Sequence, residues 1–246
     1  MSEYFFIVDY VEAFLWAVAY MLIAFVGIVN KGDLRLAIPK ISLLANFAWE
    51  VASIFELKGS YANHGSFGRF LWLIFDIAII ISVYLKNKSS PDFNKKALRW
   101  GISWLVLTII FYIGFNVHEL FMPFSAFVID IEMAILFFLQ RKKLDPSLRV
   151  YIAVTKLVGD ILAGLYCSIA IHHGIAVIMV GSFIFNVLYL IYAIKEVKRR
   201  PDINDDFKNN LMLLCNKLKR RRVKGITHHN SKRKKNSKKA KTHRKK

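Results

Sequence analysis

The 246 residues are 55% hydrophobic with a mean hydropathy of +0.37, yet the formal net charge is +19. The charge is confined: residues 195–246 hold 21 of the 36 Lys and Arg and four of the 17 Asp and Glu, a balance of +17, which leaves +2 on residues 1–194. An apolar, nearly neutral body with a basic tail excludes an ordinary soluble enzyme and a wholly disordered chain, and with only Cys167 and Cys215 it excludes a disulfide scaffold.

A helix crosses hydrocarbon in about 20 apolar residues, because backbone amides find no water there. In chain order the predicted spans are 11–29, 36–57, 69–85, 100–117, 121–139, 150–171 and 174–194. The first follows a stretch with three acids and no Lys or Arg, so it reads as a retained span and not a cleavable signal peptide. The third and fourth are short, and the connections after the fourth and sixth are tight, which predicts antiparallel neighbours in a compact bundle. Residues 203–218 place Phe207, Leu211, Leu214 and Leu218 on one face, as in an amphipathic helix lying on lipid. Residues 225–246 are almost free of apolar side chains and are expected to be disordered. No internal repeat points to an inverted-repeat transporter.

Short loops rich in Lys and Arg stay in the cytoplasm. The connection 30–35 carries Lys31 and Arg35; 86–99 carries Lys86, Lys88, Lys95, Lys96 and Arg99; 140–149 carries Arg141, Lys142, Lys143 and Arg149. These alternate with 58–69, which has only Lys58 and Arg69, and with two short connections that have none. The expectation is an all-α, seven-transmembrane-helix bundle over residues 1–194, multi-pass in the cell membrane. Its N-terminus lies outside and its polybasic tail, 195–246, is cytoplasmic.

Ionisable groups within a span cost at least about 2.5 kcal/mol each and tend to face the interior of a bundle. Glu50, Asp76, Asp130 and Asp160 fall near the centres of the second, third, fifth and sixth spans, so four helices bring a carboxyl group to a similar depth. Helical spacing groups Ser42, Asn46, Glu50 and Ser53 on one stripe beside Trp49; Arg69, Trp72 and Asp76 on another; and Ser182, Asn186 and Tyr189 on a third. Lys156 and Asp160, four residues apart, read first as a structural ion pair. Asp130 and Glu132 sit about 200° apart on an ideal helix, so one of them must meet a partner helix or a cavity rim. Glu56, Lys58 and Glu119 belong to the interface. The stripes describe one polar pocket inside apolar walls, opening outward. Burial disfavours the charged form of a carboxyl group, which suits a proton donor.

The segments Asn46-Phe-Ala-Trp49-Glu50, Trp72-Leu-Ile-Phe-Asp76, Lys156-Leu-Val-Gly159 and Asn186-Val-Leu-Tyr189 resemble the short motifs of the integral-membrane terpene cyclases of the paspaline and meroterpenoid type and their bacterial relatives. Asn-x-x-Trp-Glu is the most specific of these. The resemblance implies acid-initiated cyclisation: a carboxylic acid protonates an epoxide or terminal alkene of a prenyl chain, and the carbocation closes rings without metal or cofactor. It makes Glu50 the proton donor. It also places a second acid where this chain has Asn186, leaving Asp76 or Asp160 to supply that group. Trp49, Trp72, Tyr112 and Tyr189 offer ring faces to cationic intermediates, and Asn46, Lys156 and Asn186 complete the candidate substrate site.

Two other readings use the same residues. A proton-coupled small-solute transporter would also need buried carboxyl groups, with access from both sides in turn and usually a broken helix at the site. A non-catalytic membrane partner or assembly protein would use the tail. Each Lys or Arg near anionic lipid contributes about 1 kcal/mol, so anionic lipid ranks first as the tail's partner; nucleic acid ranks behind it, on charge alone with no folded module. His64, His118, His172 and His173 fall on outer connections but have no metal-ligand spacing. Most of the 35 aromatics are expected against lipid or at its interface.

Overall fold

The computed structural model describes residues 3–30, 35–55, 66–118, 120–170, 175–203 and 205–220. Among them are eight helices and no strand. The helices are α1 (Glu3–Val29), α2 (Lys40–Ile54), α3 (Ser66–Asn87), α4 (Phe93–Val117), α5 (Phe121–Leu139), α6 (Arg149–Ala170), α7 (Ile175–Arg199) and a final one, α8, over 205–220. His64, His172, His173, Glu56, Lys58, Glu119 and the 225–246 tail lie outside the described residues, as does the side chain of Arg69.

Each of the seven apolar stretches forms a helix, though the extents differ: α1 begins at Glu3 and not at 11, and α7 runs to Arg199 and not to 194. α2 starts four residues later than its hydropathy indicates, because Pro39 forces extended backbone and caps the helix, its carbonyl accepting from Leu43 N at 3.0 Å. The non-helical Leu36, Ala37 and Ile38 are buried in protein, where irregular backbone is tolerated at membrane depth. α3 and α4 are not short: they have 22 and 25 residues. α4 begins at Phe93 and takes Lys95, Lys96 and Arg99 into its first turns, so the expected basic loop shrinks to a turn around Ser90-Pro91.

Six helices close a ring in the order α1, α3, α2, α5, α7, α6 and back to α1, while α4 packs outside against α2 and α5. Paired contacts set the directions. Trp72 Nε1 donates to Ala13 O at 3.0 Å, and a Cβ on Gly27 would come within 2.6 Å of Ser82 Oγ, so α1 and α3 run parallel in close contact. Trp16 stands on Gly159 near the middle of α1 while Asn30 bonds Ser147 at its end, so α6 runs antiparallel to α1. Ser42 donates to Glu132 at 3.1 Å and Trp49 to Ser125 at 2.9 Å, which makes α2 and α5 antiparallel.

Polarity is distributed inside out. Glu50 and Asp76 are fully buried, whereas Leu98, Ile102, Leu105, Ile109, Ile113 and Val117 on α4 face outward, and Phe115 is that helix's one buried residue. Water would punish this arrangement and lipid rewards it. Five helices, α1, α3, α4, α5 and α7, are each long and apolar enough to cross a membrane. α2, with 15 residues, spans about 22 Å by helix rise, less than the roughly 30 Å of a hydrocarbon core. α6 is long enough but carries Arg149, Lys156 and Asp160, all buried by its neighbours. The chain is thus a helical, multi-pass membrane protein.

At the basic end Arg149 pairs with Glu196 of α7 and donates to Leu144 O at 2.7 Å, while Asn30 donates to Asp145 at 2.7 Å. The 203–218 face meets the bundle and not lipid alone: Phe207 is buried, edge-on to Phe25 at 5.6 Å, and Leu211 and Leu214 pack on the same core. The chain turns at Pro201 and Asp202 after α7, and α8 meets α1 through the Phe25–Phe207 contact. Leu218 stays exposed. A cleft of about 380 Å³ remains there between Asn30, Asp145, Ser147, Arg200 and α8.

Candidate functional site

Each of the six ring helices turns a polar side chain into the ring. On α2 the i, i+4 spacing stacks Asn46 on Glu50, and Asn46 Nδ2 donates to Glu50 Oε1 at 2.5 Å. The same nitrogen reaches Asp76 Oδ2 on α3 at 3.2 Å. One amide therefore holds acids from two helices, and the two carboxyl groups stand within hydrogen-bonding reach of each other. Such a contact is attractive only when one of the two carries a proton, since like charges cannot both be held in a dry site. Glu50 Oε2 and Asp76 Oδ1 meet no N–H or O–H donor among the described residues. Ser53 takes no part in this and donates to Glu50 O at 2.7 Å.

A second group lies across the ring. Asp160 Oδ2 accepts from Lys156 Nζ at 2.8 Å, from Ser182 Oγ at 3.0 Å and from Asn186 Nδ2. Three donors on one oxygen leave Asp160 Oδ1 without a donor. The ammonium of Lys156 also lies over the Trp16 ring at 4.7 Å, so this buried cation has a carboxylate on one side and a π face on the other. Asp130 on α5 adds a further acid beside Asp160 and Lys156. Its neighbour Glu132 points the other way and accepts from Ser42 of α2, which is where the 200° separation goes.

The aromatic candidates divide. Trp49 spends its indole N–H on Ser125 and lies edge-on to Phe115, and Trp72 spends its own on the α1 backbone, so both tie helices together next to the acids. Tyr112 is half-buried on α4, outside the ring. Tyr189 is buried edge-on to Phe137, with its hydroxyl beside Arg149 at the basic end, away from the carboxyl groups. The structure thus brings Asn46, Glu50 and Asp76 together, and Lys156, Asp160 and Asn186 together. Of the four histidines, only His118 is described, exposed and accepting from Leu120 N. Among the described residues no group of His, Cys, Asp and Glu is arranged to hold a metal ion.

One residue escaped the reading by stripes. Tyr20 on α1 is 2% exposed, and its hydroxyl has no hydrogen-bond partner among the described residues. It lies within electrostatic reach of Glu50, Asp76, Asp130 and Asp160 together. The acids of its own helix, Asp9 and Glu12, lie two to three turns away toward the N-terminus, so the stripes of mid-depth acids do not lead to it. The signal that does is the run of Ala13, Ala17, Ala24 and Gly27 around Trp16 and Tyr20, a small-residue face that admits two neighbouring helices closely. Trp16, Trp49, Phe115, Phe137 and Tyr189 are likewise buried in the core and not set against lipid.

No family model, no curated protein and no solved structure matches this chain.

Proposed function

We propose that this chain is a membrane enzyme in which Glu50, sharing a proton with Asp76, protonates a hydrophobic substrate of prenyl type and starts a cyclisation through carbocations. The observation that carries this reading is the Asn46 amide holding Glu50 and Asp76 together, fully buried, with one oxygen of each acid lacking a donor. Proton transfer to a substrate needs a carboxyl oxygen that no neighbouring donor already engages, and apolar walls delay the capture of a carbocation by water. Protonation of an epoxide oxygen breaks its C–O bond, and protonation of an alkene makes a C–H bond; either leaves a tertiary cation that the next double bond closes upon. The last cation returns a proton to a base, for which Asp160 Oδ1 is the open atom. The terpene-cyclase resemblance of the Asn46-to-Glu50 segment agrees with this assignment. Asn186 holds Asp160 by a hydrogen bond, which supports Asp160 as the second acid of that family.

A transporter is disfavoured because α2, α3, α5, α6 and α7 run unbroken through their polar residues. The reaction is tested by incubating membranes containing the protein with polyprenyl epoxides and alkenes. The expected product is a cyclic isomer, and an alkene substrate in heavy water should gain one carbon-bound deuterium. Intact protein that converts no such substrate would refute the cyclase reading, and pH-driven solute uptake by the same vesicles would replace it with transport.

We further propose seven spans in the cell membrane, with α2 and α6 crossing inside the ring, the N-terminus outside and the C-terminus in the cytoplasm, its basic tail against anionic lipid. Cys215 on α8 is exposed and free. In a Cys167→Ser background it should react with an impermeant maleimide only after cells are opened; labelling of intact cells would reverse the orientation.

A further inference from the structure

The polar cleft at the basic end lies outside the site at Glu50 and Asp160. Its lining comes from places where helices begin and end: Asn30 directly follows α1, Arg200 directly follows α7, and Asp145 and Ser147 come just before α6. Residues at which apolar spans leave the hydrocarbon stand at the depth of lipid headgroups. The volume of about 380 Å³ falls within the roughly 300–1,000 Å³ of sites that enclose a small molecule.

The floor is held by its own hydrogen bonds. Asp145, 2% exposed, accepts from Asn30 Nδ2 at 2.7 Å on one oxygen and from Ser147 N at 2.8 Å on the other, so its charge is spent inside the protein. Asn30 Nδ2 also donates to Ser147 Oγ at 3.1 Å, and the buried Ser147 hydroxyl gives its own proton to no described residue. Leu148, next in the chain, has a φ of 54°, a left-handed conformation that a leucine keeps only where its surroundings over-determine it, as at ligand clamps.

The walls carry both signs of charge. Arg35 and Arg200 supply guanidinium groups, and Asp202 holds Arg200 only loosely, at 3.7 Å. From α8 comes Asp206, whose carboxylate, unlike that of Asp145, accepts from no described residue. Helical spacing runs Asp206, Asn209 and Leu213 along one face of α8, and Leu213, one turn past the cleft, is exposed. A plain anion would satisfy the guanidinium groups and be repelled by Asp206; a plain cation would meet the reverse. A zwitterion suits both, and an apolar side chain on the way out suits one that carries a tail into the bilayer.

We propose that this cleft binds the headgroup of a phosphoethanolamine lipid, its phosphate taken by Arg35, Arg200 and the Ser147 hydroxyl and its primary ammonium by Asp206. Guanidinium forks match phosphate oxygens, and an ammonium offers three donors to a carboxylate. The site is distinct from any attraction of the basic tail for anionic lipid, which would favour a different headgroup, and it stands whether or not Glu50 is a proton donor.

The test is native mass spectrometry of the full-length protein in mild detergent, titrated with short-chain phosphatidylethanolamine and phosphatidylcholine. One phosphatidylethanolamine should bind per protein, at least 10-fold more tightly than phosphatidylcholine, whose quaternary ammonium has no hydrogen to donate. Asp206→Asn should erase that preference, and Arg35→Gln with Arg200→Gln should weaken phosphatidylethanolamine at least 10-fold. These side chains are exposed, so the unfolding temperature of the variants should stay native. Every variant keeps the tail, so the differences report the cleft. Equal affinity for the two lipids, or affinity that neither variant moves, would overturn the proposal. Displacement of the lipid by an equal concentration of free phosphoethanolamine would make the site one for a soluble headgroup and overturn the lipid as its ligand.

Discussion

Glu50→Gln is expected to abolish cyclic product while the protein inserts, folds and unfolds as the native chain does. The replacement keeps shape and still accepts the hydrogen bond that Asn46 Nδ2 makes to Oε1, so the tie between α2 and α3 survives. Only the exchangeable acid proton goes. General acid catalysis contributes about 10²–10⁴-fold, and an amide cannot replace it at all, so the loss should be at least of that order. Asp76→Asn is the companion change. It leaves Glu50 its proton but removes the neighbour with which that proton is shared, and a smaller loss of about 10-fold is expected. Product yield and thermal unfolding in mild detergent, measured on the same preparations, separate chemistry from folding. Undiminished yield from Glu50→Gln would remove the catalytic assignment, and a collapse of stability with it would make Glu50 a structural residue.

The second large effect concerns stability. Lys156→Met keeps the length of the side chain but strands Asp160, which then retains the Ser182 and Asn186 donors without a cation. Breaking a buried ion pair by removing one partner costs about 3–5 kcal/mol, because the remaining charge stays desolvated. Both members here are 2% exposed, so solvent offers no relief. A strongly lowered unfolding temperature, or failure to accumulate in the membrane, is the expected result. Lys156→Met with Asp160→Leu should recover most of the loss, since replacing both charges by apolar groups is often neutral or stabilising. The double variant should then be folded and inactive, having lost the proposed base. If the single change leaves unfolding untouched, the pair is not desolvated in the membrane-embedded protein and the closed ring of helices is wrong.

Much of this site follows from one-dimensional facts. A carboxyl group near the centre of an apolar segment has few places to go in a bilayer except inward, which is why Glu50, Asp76 and Asp160 were legible as interior groups from position alone. Partners within a helix were legible too: Asn46 with Glu50 and Lys156 with Asp160 are four apart, and the helix itself brings them together. Partners between helices were not. That Asn46 also holds Asp76, that Glu132 turns to Ser42, and that the Tyr189 hydroxyl leaves its stripe for Arg149 depend on which helices adjoin and at what rotation. Tyr20 is the clearest case. The acids of its own helix, Asp9 and Glu12, are two to three turns away, and the mid-depth acids nearest to it in charge are 30 to 140 positions away in the chain.

By itself the sequence determined the class of molecule: apolar segments of spanning length, a basic tail, and acids at mid-depth, all consequences of the cost of exposing backbone or charge to hydrocarbon. The hydropathy reading carried the second span through Pro39, and only the structure showed that this residue ends the extended segment and starts α2. Only the tertiary structure decided that α4 lies outside the ring and that α8 docks its Phe207 face on α1. It alone placed two acid groups on opposite walls of the ring. The reason is physical: lipid makes nearly every apolar face acceptable, so hydropathy says that a helix is in the membrane but not what it touches. Its neighbours are chosen by close packing at Gly27 and Gly159 and by hydrogen bonds that only the assembled bundle can complete.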